Sequence, residues 1–213
     1  MKSRCFVSCT ILGLSLLTGC VNTANKIITK SELRTSTQMS QTIWLDPTQS
    51  NDYHTIFLQV GNTTDQVIQL KQSLASKLAN LGYRIESEPN SAQVWLQINV
   101  LKVGRSNLDE TRGAVSSGFG GAIIGGVIAN KVTGGDNLLT IAGSALGAVS
   151  DSIWQDVIFA MITDVKITLP QDGHKTHHTR VVSSANQINL EFLHAKPALE
   201  QALVNSLAGI LAK

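Results

Sequence analysis

The sequence predicts an α+β fold in which a mixed sheet carries two amphipathic helices and an inserted Gly/Ala-rich apolar helical hairpin that we expect to enter the membrane. Three observations predict it. Several segments alternate polar and apolar residues with the two-residue period of strands. Two others repeat apolar residues at helical spacing. Between Arg112 and Asp151 the only formal charges are Lys131 and Asp136.

Composition limits the class of protein. The chain has 213 residues, 43% of them hydrophobic and 15% charged, which is too apolar for a disordered chain and long enough for one medium domain or two small ones. The formal net charge is +2, and lysine and arginine form no run. Because nucleic-acid binding needs a basic patch, we expect no nucleic-acid partner.

The first residues resemble a bacterial lipoprotein signal. Lys2 and Arg4 form a basic start, an apolar stretch follows from Phe6 to Leu17, and Thr18-Gly19-Cys20 supplies small residues before a cysteine. We expect residues 1–19 to be removed as a signal peptide and Cys20 to carry the lipid, with no other cofactor. The alternative is a plain secretory peptide with an incidental cysteine.

The compartment follows from the same resemblance. Cys5 and Cys9 would leave with the signal peptide, so the mature chain would have no thiol for disulfides, thiol catalysis or cysteine metal sites. Val21, rather than aspartate, follows the cysteine, and lipoprotein sorting rules then imply a lipid-anchored protein of the outer membrane.

The next segment, residues 20–51, is predicted to be a tether that leads to a short extended stretch. It is rich in Thr, Ser and Gln and shows no sustained period until Thr42 to Leu45. Asp46-Pro47 then breaks the stretch, because proline disfavours helix at the residue before it.

Residues 52–112 and 155–213 are predicted to form a periplasmic α+β domain. Thr55 to Val60 alternates as a strand. A helix follows, with Gly82 as its C-terminal cap. Its apolar face comprises Val67, Leu70, Leu74, Leu78 and Leu81. Tyr83 to Ser87 is predicted to be a short strand, and Gln93 to Val103 is the clearest strand in the sequence.

The second half of this domain is predicted from the same two periods. Asp156 to Leu169 alternates as a strand whose second face changes from apolar to polar at Asp164. After a turn, Thr179 to Ser183 and Gln187 to Phe192 are predicted to form a further hairpin. Pro197 is expected in the first turn of a final amphipathic helix, since proline is favoured there.

Residues 113–154 are the predicted hairpin between two strands of the sheet. Each arm has about 16 residues, or roughly 24 Å as a helix, a little short of a hydrocarbon core. Small residues recur at the four-residue spacing that allows close helix packing in membranes. The predicted packing residues are Gly121, Gly125, Gly126, Gly143 and Gly147. The alternative is a buried glycine-rich hairpin in a soluble protein.

The turn between the arms is predicted to be an exposed tip. Its polar, turn-forming residues are Lys131, Thr133, Gly134, Gly135 and Asp136. Lysine and aspartate are costly at the centre of a bilayer, at about 2.5 to 3.5 kcal/mol each. If both arms cross the outer membrane, the tip would therefore lie outside the cell.

A search for catalytic patterns finds no nucleophile elbow, phosphate loop or paired-histidine zinc helix, so we expect no enzyme activity. His174, His177 and His178 are the only cluster with ligand chemistry. We predict no metal site there, because turn histidines are usually solvated and no carboxylate lies at metal-ligand spacing.

Four segments resemble the TraT family. They run from Thr37 to Pro47, from Met161 to Val165, from Thr179 to Asn186 and from Ala195 to Glu200, in order around a glycine-rich centre. The family comprises outer-membrane lipoproteins of conjugative plasmids associated with surface exclusion and complement resistance. This sequence departs from it in a short connection between Asp164 and Thr179.

The resemblance implies a homo-oligomer in outer-membrane lipid that hinders the mating apparatus of a donor cell carrying a related plasmid, with complement resistance as a second role. The alternative is an oligomeric outer-membrane channel or secretion component of the curli-export type. A water-filled pore needs a polar stripe along each arm, and the polar residues here are sparse, so the first reading is favoured.

Overall fold

The fold is a six-stranded mixed sheet with helices on both faces. A computed structural model describes residues 32–46, 53–121 and 155–212. The strands are β1 (Arg34–Met39), β2 (Thr55–Asn62), β3 (Arg84–Glu86), β4 (Val94–Ser106), β5 (Asp156–Leu169) and β6 (Lys175–Ile188). The helices are α1 (Leu70–Asn80), α2 (Leu108–Ser117) and α3 (Phe192–Ile210).

The sheet order is β1-β6-β5-β4-β2-β3. Strands β4, β5 and β6 are long and antiparallel, while β2 pairs parallel with both β4 and β3. The mixed sheet predicted from the alternating segments is therefore confirmed. The segment that joins β4 to β5 in sequence includes residues 122–154, which lie outside the described residues.

The main core lies between one face of the sheet and helices α1 and α3, as predicted. Leu70, Leu74 and Leu78 of α1 are fully buried, and burial of each leucine contributes about 1.5 to 3 kcal/mol. Val67 does not join this face, since it precedes the helix and is 76% exposed.

The predicted cap of α1 is confirmed at Gly82, which has a φ of 90°. The Tyr83 N–H donates to the Leu78 carbonyl over 3.1 Å, and the Gly82 N–H donates to the Ala79 carbonyl over 2.9 Å. These two bonds satisfy carbonyls that the end of a helix otherwise leaves unpaired.

Helix α2 was not predicted, and it lies on the opposite face of the sheet. Ala114 packs there against Ile162 of β5 and Val182 of β6, all of them buried. The helix includes residues 113–117, which the sequence assigned to the hairpin. It explains why Ala160 and Ile162 are apolar on a face that becomes polar at Asp164.

Strand β1 corrects the prediction that residues before Thr42 are only a tether. It pairs antiparallel with β6, from Arg34 opposite Asn186 to Met39 opposite Val181. Most of its side chains are exposed, so its pairing depends on backbone hydrogen bonds and leaves no hydrophobic period in the sequence.

Strand β6 corrects the predicted second hairpin. It continues through Ser184 and Asn186, whose polarity suggested a turn, because both are paired with β1 and β5. It stops at Ile188, and Asn189 then takes a positive φ of 53°. The apolar spacing of Leu190 and Phe192 therefore belongs to a turn and a helix start rather than to a strand.

Pro197 also differs from its predicted place. Helix α3 begins at Phe192, so the proline lies inside the helix rather than in its first turn. Proline has no N–H to donate to the carbonyl of Leu193. Leu193 is 76% exposed, so we expect solvent to satisfy that carbonyl.

No helix within the described ranges is long and apolar enough to cross a membrane. Of the predicted hairpin, only residues 113–121 fall inside those ranges, and Gly118 ends α2 there with a φ of 68°.

Candidate functional site

Most residues that the sequence selected lie outside the described part of the chain. Gly121 is the described exception. The predicted lipidation site and the other predicted packing and tip residues fall in residues 1–31 and 122–154, namely Cys20, Gly125, Gly126, Lys131, Thr133, Gly134, Gly135, Asp136, Gly143 and Gly147. We call the predicted hairpin, residues 113–154, the glycine-rich segment. The candidate site comprises the residues that hold its described start and the residue that follows it.

A fully buried arginine lies at the centre of this site. Arg180 of β6 is directly opposite Asp164 of β5. Its Nε donates to Asp164 Oδ1 over 2.7 Å and its Nη2 donates to Asp164 Oδ2 over 3.0 Å. Two parallel bonds of this kind fix both side chains, and loss of one partner would leave a buried charge unpaired.

The same guanidinium holds the start of the glycine-rich segment. Its Nη1 donates to Ser117 Oγ over 2.7 Å, and its Nη2 also donates to the Gly121 carbonyl over 2.8 Å. The Gly120 N–H donates to Asp164 Oδ2 over 2.9 Å. Ser117, the last residue of α2, and the backbone of Gly120 and Gly121 are therefore hydrogen-bonded to the Arg180–Asp164 pair of the sheet.

The arginine backbone fastens a third segment. The N–H of Arg180 donates to Ser40 Oγ over 2.9 Å, and the N–H of Ser40 donates to the Arg180 carbonyl over 2.8 Å. Next to it, the Gln41 N–H donates to Thr179 Oγ1 over 3.2 Å. The residue that follows β1 thus bonds to the backbone of Arg180, whose side chain contacts β5 and the end of α2.

Helix α2 is held at its start by a second polar cluster. Asn107 caps it, since its Oδ1 accepts from the Glu110 N–H over 2.8 Å. The buried Glu110 carboxylate pairs with Lys102 and accepts from Ser106 Oγ over 2.9 Å. A register shift between Val100 and Lys102 in β4 brings this lysine onto the α2 side of the sheet.

The fold of a single chain requires glycine at position 121. A Cβ built at this position would lie 2.6 Å from the backbone carbonyl oxygen of Ser117. Its own carbonyl is held by Arg180. Close approach to the end of α2 therefore requires glycine here, in addition to the membrane packing that the sequence predicts for this position.

The chain rejoins the sheet at a different place. The Gln155 N–H donates to Asn189 Oδ1 over 3.0 Å, and the Asn189 N–H donates to the Gln155 carbonyl over 2.8 Å. From Gln155 to Asp164, β5 rises about 30 Å at about 3.3 Å per residue. The described ends of the glycine-rich segment are thus far apart along one strand.

An open depression of about 470 Å³ lies beside Asp164, the partner of Arg180, on the α2 face. Its side chains include Gln59, Gln97, Asn99, Phe119, Asp164 and Lys166. Gln97 Nε2 donates to Gln59 Oε1 over 2.7 Å, and the Phe119 ring lies 4.8 Å from the ring of His178.

The three histidines of the sequence cluster do not converge. His177 and His178 are neighbours in β6 and so point to opposite faces of the sheet. The His174 ring lies 6.0 Å from that of Trp95. Burial lowers the pKa of His177, and Lys175 and His178 lower it further. Within the described residues, no group of three or more His, Cys, Asp or Glu side chains could hold a metal ion.

Sequence reasoning missed Arg180 and Ser117. The available signal was an arginine next to Val181 and Val182 in an alternating strand, where a charge on a covered face needs a partner. Asp164 was noted as the point at which β5 becomes polar and as part of a TraT-like segment, with no partner assigned to it. The pairing of these residues depends on strand register, which the sequence did not provide.

Comparison with known proteins gives consistent matches along the chain. A family model described as "Enterobacterial TraT complement resistance protein" matches residues 32–174 and 168–211. A TraT complement resistance protein of Escherichia coli is 34% identical over 248 aligned positions, which cover 99% of this chain and 100% of that one. A relative with the same description from Wigglesworthia glossinidia brevipalpis is 24% identical over 239 positions, covering 96% and 93%.

Among solved structures, a PelC dodecamer from Paraburkholderia phytofirmans aligns with a TM-score of 0.39 and 9% identity, covering 84% of this chain and 98% of that one. The sequence resemblance to TraT is confirmed by the family model and by relatives that match nearly the whole chain. The chain belongs to the TraT family of complement resistance proteins.

Proposed function

We propose that this chain is an outer-membrane lipoprotein, lipidated at Cys20, that acts in surface exclusion and contributes to complement resistance. The observation that supports it is the match to TraT complement resistance proteins over 99% of the chain. The lipoprotein signal that ends at Cys20 agrees with this reading. We further propose that the protein assembles as a homo-oligomer and meets the donor cell's mating apparatus.

In this proposal, Arg180 and Asp164 fix the start of the inserted segment to the sheet. Something on the recipient surface has to meet the donor, and the inserted segment is the part of the chain that we propose to reach across the membrane. Arg180 and Asp164 tie Gly120 and Gly121, near the start of this segment, to the domain, while Asn189 holds Gln155, the residue after it. Both ends are thereby fixed on the sheet.

These fixed ends place a geometric requirement on the predicted hairpin. Gly121 and Gln155, the described residues nearest to its two ends, are held about 30 Å apart along β5. An extended chain needs about nine residues to cover that distance. A hairpin that crosses the membrane therefore has fewer residues for its arms than the roughly 16 per arm expected from the sequence.

A mating assay tests the function. Recipients that carry the wild-type chain should receive a related conjugative plasmid much less often than recipients without it, and should survive better in serum. Equal transfer into both recipients would refute the exclusion role, and equal serum survival would refute the complement role. The two readouts are scored separately because each role can hold without the other.

The proposed contact with the donor is tested at the tip. Neutral substitutions Lys131→Gln and Asp136→Asn together should weaken exclusion, whereas Lys71→Gln and Glu88→Gln, at exposed positions of the described domain, should leave it unchanged. An epitope inserted after Gly134 should be detected on intact cells. Detection only after permeabilisation would refute the proposed topology.

A further inference from the structure

Exposed leucines gather at one end of the sheet. Four strands share a register row there, which runs through Arg34, Asn186, Ile158 and Ser106. Leu33 precedes this row on β1 and is 39% exposed, and Leu108 follows it after β4 and is 56% exposed. The two leucines flank four strands, a width of about 14 Å.

A third exposed leucine belongs to the same end. Leu193 lies in the first turn of α3 and is 76% exposed. The ring of its neighbour Phe192 lies 5.5 Å from that of Phe159, so the first turn of α3 lies near the start of β5. Leu33 thus lies directly before β1, Leu108 begins α2 and Leu193 lies in α3, and we call these three residues the leucine end.

Two chain connections meet at the leucine end. The described chain begins there at residue 32, directly before β1, and the preceding residues lead back to Cys20. The glycine-rich segment also rejoins the sheet there, at Gln155. Both connections come from parts of the chain that the proposed function assigns to the membrane.

We propose that the leucine end is a membrane-contact surface that rests on the inner leaflet of the bilayer to which the protein is anchored. The proposal rests on the outer-membrane anchorage proposed above. Apolar side chains that reach the boundary between headgroups and acyl chains gain free energy in proportion to the apolar area they bury. Contact would orient the long strands β4, β5 and β6 away from the bilayer.

Charge at this end is mixed. Arg34 and Arg105 are exposed there, and so are Glu32, Asp109, Asp156 and Glu191. Because the acidic side chains outnumber the basic ones, charge gives no net attraction to anionic headgroups, so the leucines rather than the charges should drive contact. Membrane contact at the leucine end should accordingly not weaken as the salt concentration rises.

Lipid contact is measured with labels on the mature chain lipidated at Cys20, which has lost Cys5 and Cys9 with the signal peptide. Single cysteines replace Leu33, Leu108, Leu193 or Trp44, each carries a nitrobenzoxadiazole fluorophore, and the protein is reconstituted into vesicles of phosphatidylethanolamine and phosphatidylglycerol. Trp44 is the matched control, because it is 80% exposed but follows the opposite end of β1. Lipids with doxyl groups on their acyl chains should quench the three leucine-end labels and spare the label at 44.

Two outcomes would overturn the proposal. Equal quenching at all four positions would mean that the leucine end has no special contact with lipid. Protection of the three labels from aqueous iodide without quenching by doxyl lipids would assign this surface to a second copy of the chain. The mating assay reads exclusion separately, so a chain that excludes donors without quenching refutes the contact alone.

A variant tests whether the leucines cause the contact. In the Cys20→Ser chain, the combined Leu33→Gln, Leu108→Gln and Leu193→Gln substitutions should lower sedimentation with the same vesicles by about tenfold. Trp44→Gln should have no effect. Circular dichroism checks that the triple variant is folded, and unchanged sedimentation of a folded triple variant would contradict the proposal.

Discussion

Arg180 and Asp164 face each other on neighbouring strands, and the guanidinium and the carboxylate form two hydrogen bonds of 2.7 and 3.0 Å. The arginine side chain is 0% exposed and the aspartate side chain 12% exposed. Because the same pair also bonds to Ser117, Gly120 and Gly121, one ion pair connects the sheet to the start of the glycine-rich segment.

Replacing only one residue of the Arg180–Asp164 pair should destabilise the folded protein. Arg180→Met leaves the Asp164 carboxylate nearly buried without its partner, so the free energy of unfolding should fall by about 3 to 5 kcal/mol. Urea unfolding of the detergent-solubilised chain measures this change. The double variant with Asp164→Leu removes both charges and should recover part of the loss. A double variant less stable than Arg180→Met would contradict a stabilising contact between the charges of Arg180 and Asp164.

Two glycines should respond oppositely to alanine. At Gly121 a Cβ would lie 2.6 Å from the Ser117 carbonyl oxygen, so Gly121→Ala should lower the free energy of unfolding by about 1 to 3 kcal/mol. At Gly209, in α3, a Cβ meets nothing within 4 Å, so Gly209→Ala should raise it by about 0.5 to 1 kcal/mol. Thermal unfolding followed by circular dichroism distinguishes the two, and similar values for both would argue against a close approach at Gly121.

His177 should make stability depend on pH. Burial lowers its pKa in the folded protein, and its buried Nε2 has no hydrogen-bond partner among the described residues. The unfolded chain takes up a proton at this position near about pH 6.5, so stability is present above that pH and is lost as the pH falls toward the folded pKa.

The test compares urea midpoints between about pH 7 and pH 5. His177→Gln should reduce the fall in stability over this range. His194→Gln, at an exposed position in the first turn of α3, is the control and should leave the fall unchanged. An equal fall in wild type and His177→Gln would mean that His177 is not the group responsible.

Cys20 should anchor the protein. Each buried CH₂ of an acyl chain contributes about 0.8 kcal/mol, so several chains give a lasting anchor. Cys20→Ser should abolish labelling with a radioactive fatty acid and move the chain toward the periplasmic fraction. Normal acyl labelling of this variant would falsify the assignment. Residual membrane association without labelling is expected to decrease further when the leucine end is substituted.

The sequence by itself determined the elements with strong local signals. Strands β2, β4 and β5 and helix α1 each bury one continuous face. Their hydrophobic period is therefore visible in the sequence, and their predicted bounds lie close to the observed ones. Gly82 was identified as a cap because a positive φ has a strong residue preference. The TraT resemblance was also readable, since it depends on residue order alone.

Only the tertiary structure decided what depends on register and pairing. Strand β1 is polar and is defined by its partner β6, and α2 is short and becomes stable by packing on Ile162 and Val182. Arg180, Asp164, Ser117 and Gly121 are separated by up to 63 residues, and no local period indicates that they meet. Their association requires the observed register between β5 and β6 and the register shift in β4 that precedes α2. A shift of either strand by one residue would move the partners beyond hydrogen-bonding distance.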